Sequence, residues 1–118
     1  MSAEDQPSIQ LLAHRAMVAR HRAGESPHSA ILIPIEDTGC LVTYTLWHLG
    51  EAGGTRAEIM RASGLHSGQV LWGRRWAQAR GWVALRAGSA ANGRFVRFVA
   101  TPFGVESIQD WVSRLPRE

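Results

Sequence analysis

Between Ile59 and Val105 the chain carries seven arginines (Arg61, Arg74, Arg75, Arg80, Arg86, Arg94 and Arg97) and no acidic residue. A guanidinium presents five N–H donors in a planar fork, which suits paired contacts to phosphates, carboxylates and base edges. The rest of the chain holds six arginines against ten acids, so the formal charge of +3 conceals a strongly basic segment set in an acidic remainder. Such segregation points to a polyanion partner. Lysine is absent altogether. That absence fits recognition by paired hydrogen bonds and fits codon bias equally well, so it decides nothing.

Other reactive side chains are sparse. His14 and His21 share a helix face, and His28, Cys40 and His48 follow, but no pair has the close spacing of metal ligands. No metal and no cofactor are expected. The single cysteine excludes an internal disulfide. At the start of a helix Cys40 would have a lowered pKa and could sense oxidants; buried, it would be an inert core residue. No nucleophile motif, phosphate-binding loop or paired carboxylates stand out, and the chain reads as a non-enzyme.

The 118 residues fit one domain, and 45% hydrophobic residues suffice for one core. No apolar run approaches the ~18 residues of a membrane span. The start, Met1 to Pro7, is short and acidic, unlike a secretion signal, so a cytoplasmic location is expected.

The elements that must position the arginines can be read from caps and periodicity. Residues 1–7 read as disordered. Ser8 caps a helix over Ile9–Arg22. Ser29–Ile35 is a short apolar arm or edge strand broken by Pro34. Asp37 or Thr38 caps a second helix running to about Glu51, apolar nearly all round and therefore central. Thr55 and Glu58 form a capping box for a third helix, Arg56–Ala62, followed by a Ser63-Gly64-Leu65 turn. Ser67 caps a fourth helix reaching Arg80, closed by Gly81. Trp82–Arg86 and Arg94–Ala100 read as strands around the loop Ala87–Gly93, and Phe103–Leu115 as a last helix.

A short helix, a glycine turn, a longer helix and a basic hairpin, in that order, make a helix-turn-helix with a wing. The expected class is mainly α with a small β-hairpin (α+β). Residues 8–118 would form a single domain: the N-terminal helix and arm (9–35), the winged-helix core (37–102) and the C-terminal helix (103–118). Trp47, Trp82 and Trp111 read as core or dimer-interface residues. Trp72 and Trp76, beside Arg74 and Arg75, imitate the aromatic–basic interleaving of a single-strand binder, but the helix-turn-helix spacing explains them more economically.

Three stretches carry a family resemblance. They are Thr55-Arg56-Ala57-Glu58-Ile59 through Ser63-Gly64-Leu65; Val70, Ala77 and Gly81 leading into Trp82-Val83; and Asn92-Gly93-Arg94-Phe95-Val96-Arg97-Phe98-Val99-Ala100-Thr101-Pro102-Phe103-Gly104. Together they cover about 50 residues, and in them the chain resembles the MarR family of bacterial transcription regulators. The resemblance implies a homodimeric, sequence-specific binder of double-stranded DNA, a repressor reading an inverted repeat. It turns Ser67, Gln69, Trp72 and Arg75 toward the major groove. Gln69 would read adenine, Arg75 guanine or a phosphate, and Ser67 a phosphate. Arg74 would be either a contact or a stem packed on an aromatic ring. Arg94 would enter the minor groove. Arg86 and Arg97 would touch phosphates, with Arg56 and Arg61 as secondary candidates. Residues 9–22, 30–35 and 103–115 remain for dimerisation, and a small-molecule effector is open. A plasmid or phage replication or partition protein and a winged-helix protein–protein module are the other readings.

Overall fold

The computed structural model describes residues 6–24, 34–88 and 96–116. Among these residues the protein has helices α1 (Ile9–Arg22), α2 (Ile35–Leu49), α3 (Arg56–Ser63), α4 (Ser67–Ala79) and α5 (Pro102–Arg114). A short 3-10 turn lies at Gly50–Ala52. Strands β1 (Val83–Leu85) and β2 (Phe98–Ala100) pair antiparallel, with Val83 opposite Ala100. The molecule is thus mainly helical with a small antiparallel sheet.

α2 is the centre. Every residue from Asp37 to Leu46 is buried, and the helix touches α1, α3, α4, α5 and β2. Complete burial requires its polar side chains to find partners inside the protein. Three threonines do so on their own helix: the hydroxyls of Thr38, Thr43 and Thr45 donate to the carbonyls of Pro34, Gly39 and Leu41 at 3.0, 2.8 and 2.7 Å. Asp37 is met from α1 by Arg20, whose Nε and Nη2 donate to its two oxygens at 2.6 and 3.2 Å.

The start of α2 departs from expectation. Pro34 occupies the cap position, Ile35 is already helical rather than part of an arm, and Asp37 and Thr38 lie inside the first turn. Pro34 has φ −56°, a value its ring enforces and one that suits the entry to a helix. Residues 29–33 of the expected arm lie outside the described residues, as do 1–5, 89–93 of the expected hairpin loop and 94–95 of the expected second strand. Gln6 and Pro7 are placed, and the Tyr44 hydroxyl donates to the Pro7 carbonyl at 2.5 Å.

α4 forms the most extensive contact with α2, and two glycines make that contact possible. A Cβ on Gly39 would lie 2.2 Å from the Trp76 ring, and one on Gly73 would lie 2.8–3.1 Å from the side chain and backbone of Thr38. The turn between α3 and α4 has Gly64 at φ +76°, a left-handed conformation that a Cβ disfavours. α3 starts on the expected capping box: the Glu58 N–H donates to the Thr55 hydroxyl and the Thr55 N–H to Glu58 Oε1, both at 3.2 Å.

The strands are shorter than the sequence suggests, three residues each, and β2 has a second neighbour. Gly54 and Phe98 exchange both backbone hydrogen bonds at 2.9 Å, so the loop after the 3-10 turn forms a bridge on the outer edge of β2. At Gly53 a Cβ would meet the Phe98 carbonyl at 2.1 Å, which reserves that position for glycine. α5 is anchored by Thr101, whose hydroxyl donates to the Gly81 carbonyl at 2.6 Å and accepts from the Gly104 N–H at 3.0 Å.

Gly73→Leu is expected to destabilise the protein by roughly 2 kcal/mol, because α4 must move off the Thr38 backbone. Gly68→Ala, in open space on the same helix, is expected to stabilise it by about 0.5–1 kcal/mol. Urea denaturation of both variants checks the pair; equal stabilisation by the two would overturn the close α2–α4 contact.

Candidate nucleic-acid interface

α4 has three stripes at helical spacing, each with its own task. Val70, Gly73 and Ala77 are buried against the core. Gly68, Trp72, Arg75 and Ala79 form an exposed stripe on which only Trp72 and Arg75 project. Trp72 is 56% exposed, a large apolar area for an indole. The Arg75 guanidinium lies 5.2 Å from the Trp72 ring centroid, a cation–π pair that holds the cation in a defined place without neutralising it. Neither Arg75 nor Arg80 has an acidic partner among the described residues. Arg80 lies over Trp76 at 3.7 Å, and Trp76 in turn packs edge-on against Trp82.

The third stripe, Ser67, Leu71, Arg74 and Gln78, faces α3 and the hairpin across a cleft. Arg74 takes the second of its two expected roles. Its guanidinium sits 4.5 Å over the Phe98 ring and Nη1 donates to Gln78 at 2.9 Å. Burial, and then the nearby charges of Arg75 and Arg56, push Arg74 below the ordinary arginine range. Arg56, exposed at the start of α3, borders the same cleft.

Other expected contacts are placed differently. Ser67 is exposed but is the first helical residue, not the cap; His66 holds that position. The Gln69 side chain turns back on its own helix, its Oε1 accepting the His66 N–H at 2.8 Å. One of the two acceptor sites of that oxygen is thus engaged by the start of its own helix. Arg86 and Arg97, expected on phosphates, are tied to the turn before α3. Arg86 Nε donates to the Glu51 carbonyl at 3.1 Å, and Arg97 Nη1 to the carbonyls of Ala52 and Gly53 at 3.3 Å each. Arg97 Nη2 also pairs with Glu58 Oε1 at 2.9 Å, the same oxygen that caps α3. These two arginines satisfy carbonyls at a helix end, where cations are favoured, and fix the hairpin to the rest of the fold. The Thr55 N–H and hydroxyl, followed by the Arg97 and Arg61 charges, hold the Glu58 carboxyl below the usual range. Arg94 lies outside the described residues.

Cys40 takes the inert alternative. It is 3% exposed, and burial, with Asp37 adding to it and Arg114 and Arg20 opposing, pushes the thiol from its ordinary 9.0 up to about 12. No group of three metal-ligating side chains comes together among the described residues, and no described helix is long and apolar enough to cross a membrane. Trp47, Trp82 and Trp111 pack partly buried against the core, as expected. Two features had no signal in the sequence: the Gly54–Phe98 bridge and the pairing of Arg56 with Arg74 at one cleft.

Comparison with known proteins identifies no relative: no family model, no curated protein and no solved structure matches the chain.

The raised thiol pKa gives a signed pH dependence. The unfolded chain loses the Cys40 proton near pH 9 while the folded protein keeps it until about 12. The contribution of the protonated thiol is therefore complete below pH 9 and is lost as pH rises from 9 toward 12. The stability advantage of the native protein over Cys40→Ala is expected to shrink across that window in denaturant titrations. At pH 8, Ellman's reagent should modify Cys40 far more slowly in the native protein than in guanidinium; equal rates would refute the burial.

Proposed function

We propose that the protein is a sequence-specific binder of double-stranded DNA, a winged-helix transcriptional regulator that inserts α4 into the major groove. The observation that carries this reading is the Trp72–Arg75 ridge. It is exposed, positively charged, free of acidic partners among the described residues and mounted on a helix whose opposite face is locked to the core. α4 is 13 residues and about 20 Å long, a fit for a major groove about 12 Å wide. Arg75 reads a guanine edge or a phosphate, and Trp72 packs its indole on the sugar–phosphate wall or a thymine methyl. On this reading Arg94, outside the described residues, is the contact for the adjacent minor groove, and Arg86 and Arg97 hold the strands of the hairpin.

A single module of this size makes few base contacts, and a two-fold dimer doubles them on an inverted repeat. Apolar side chains left exposed on α1 (Leu11, Met17), at the start of α2 (Ile35) and on α5 (Phe103) supply surface for a second copy. Repression by occupying an operator is the simplest output of such a binder. Exposed Trp72 also suits a protein–protein module, which would bind no DNA.

The test is fluorescence anisotropy on duplexes from the DNA flanking the protein's own coding sequence, across salt. Affinity should fall steeply with salt, in proportion to the phosphates contacted. Arg75→Ala and Trp72→Ala should each weaken binding about tenfold or more, as expected for loss of ~1–3 kcal/mol of groove contact. Absence of salt-dependent binding, or unchanged affinity in both variants, would overturn the reading.

A further inference from the structure

A cleft of about 620 Å³ opens between α3, α4 and the hairpin. That volume lies in the range of small-molecule sites. Its floor is apolar and completely buried at Ile59 and Val70, with the Phe98 ring beside them. Leu71 and Val96 continue the apolar surface upward, and Leu85, 46% exposed, stands at the lip. The lining is aliphatic apart from Phe98, whose ring is already covered by the Arg74 guanidinium. Polar groups are few: Ser67, Gln78 and the two cations Arg56 and Arg74.

The charges in this cleft are uncompensated. None of the described residues lining it is acidic. Arg56 makes no ion pair or hydrogen bond among the described residues, and the one hydrogen bond of Arg74 goes to the neutral amide of Gln78. The two cations act on one another, since Arg56 is among the charges that depress Arg74. Three acids elsewhere have cations of their own: Glu58 has Arg97, Asp37 has Arg20 and Asp110 has Arg114. Two guanidinium groups without an acidic partner among the described residues stand beside the partly exposed aliphatic side chains Leu71, Val96 and Leu85, a combination that suits a negative charge attached to an apolar chain.

We propose that this cleft binds an amphipathic anion, a medium-chain aliphatic carboxylate whose head lies between Arg56 and Arg74 and whose chain covers Leu71, Val96 and Leu85, the lining side chains that remain partly or largely exposed. A carboxylate accepts paired N–H donors from a guanidinium, and an alkyl chain removes the exposed apolar surface from water. The site is a property of the cleft and stands whether or not α4 enters DNA.

Isothermal titration of the full chain with octanoate and, separately, with octanol tests it. Octanoate should bind saturably, one per chain, at least tenfold tighter than octanol. Lengthening the chain from hexanoate to octanoate should raise affinity by about fourfold per buried methylene. Arg56→Gln and Arg74→Gln should each weaken octanoate at least fivefold and leave octanol unchanged. Arg114→Gln, on a helix that does not line the cleft, should bind octanoate like the native protein. Ala57→Trp, at an exposed lining position of α3, fills the cleft without removing a charge and should abolish binding, so the assignment remains testable if an arginine variant unfolds. Equal affinity for octanoate and octanol, no saturable binding, or undiminished octanoate binding by Ala57→Trp would overturn the proposal.

Discussion

A helix buried over ten consecutive residues has no face left for water, and most of this structure follows from satisfying that condition. The backbone of α2 satisfies itself, but its side chains include three threonines and an aspartate. The threonine hydroxyls fold back onto carbonyls four residues earlier, and Arg20 crosses from α1 to Asp37. Removing Arg20 alone would leave a buried carboxylate without its cation, which costs more than the pair contributes. The docking of α1 is therefore coupled to the burial of α2.

The same condition shapes α4. A helix as enclosed as α2 must be approached closely, and glycine on both partners permits it: Gly39 receives the Trp76 ring and Gly73 lies on the Thr38 backbone. Fixing α4 by its Val70–Gly73–Ala77 stripe leaves its rotation no freedom. Trp72 and Arg75 consequently face outward, and Arg74 faces the hairpin, one residue apart in sequence and about 100° apart around the axis. Adjacent arginines that look equivalent in the chain thus acquire different chemistry. One keeps an open cation on an exposed ring, and the other is half-buried on Phe98.

Local signals were legible. Ser8 and the limits of α1, the Thr55–Glu58 box and the turn at Gly64 each involve residues within four positions of one another, and all occur where the sequence places them. The all-round apolar character of α2 also identified it as central. The failures involve groups far apart in the chain. Arg86 and Arg97 bond to carbonyls 35 to 45 residues away, so their positive charge, read as phosphate contact, is engaged in holding the hairpin. Gln69 has a second role not expected from the sequence: at the third position of its helix it also caps, accepting the His66 N–H. Caps also misplaced the start of α2, because the stiff ring of Pro34 does there what a hydrogen-bonding side chain does elsewhere.

Charge in this protein is consequently better judged by what remains after pairing than by where it falls in the sequence. The seven arginines between Ile59 and Val105 suggested one continuous basic surface. Pairing divides five of the six described ones: Arg97 is neutralised by Glu58 and, with Arg86, is turned toward backbone carbonyls, whereas Arg74, Arg75 and Arg80 rest on aromatic rings that orient a cation without cancelling it. A ring leaves most of a guanidinium's hydrogen-bonding edge available, and a carboxylate does not. Among the described residues, the positive charge still available to a partner therefore lies on two faces of α4, its outward ridge and the cleft beneath the hairpin, and at the exposed Arg61 of α3. Because α4 is locked to α2, an anion drawn into the cleft would act on the hairpin side of the fold and leave the ridge in place.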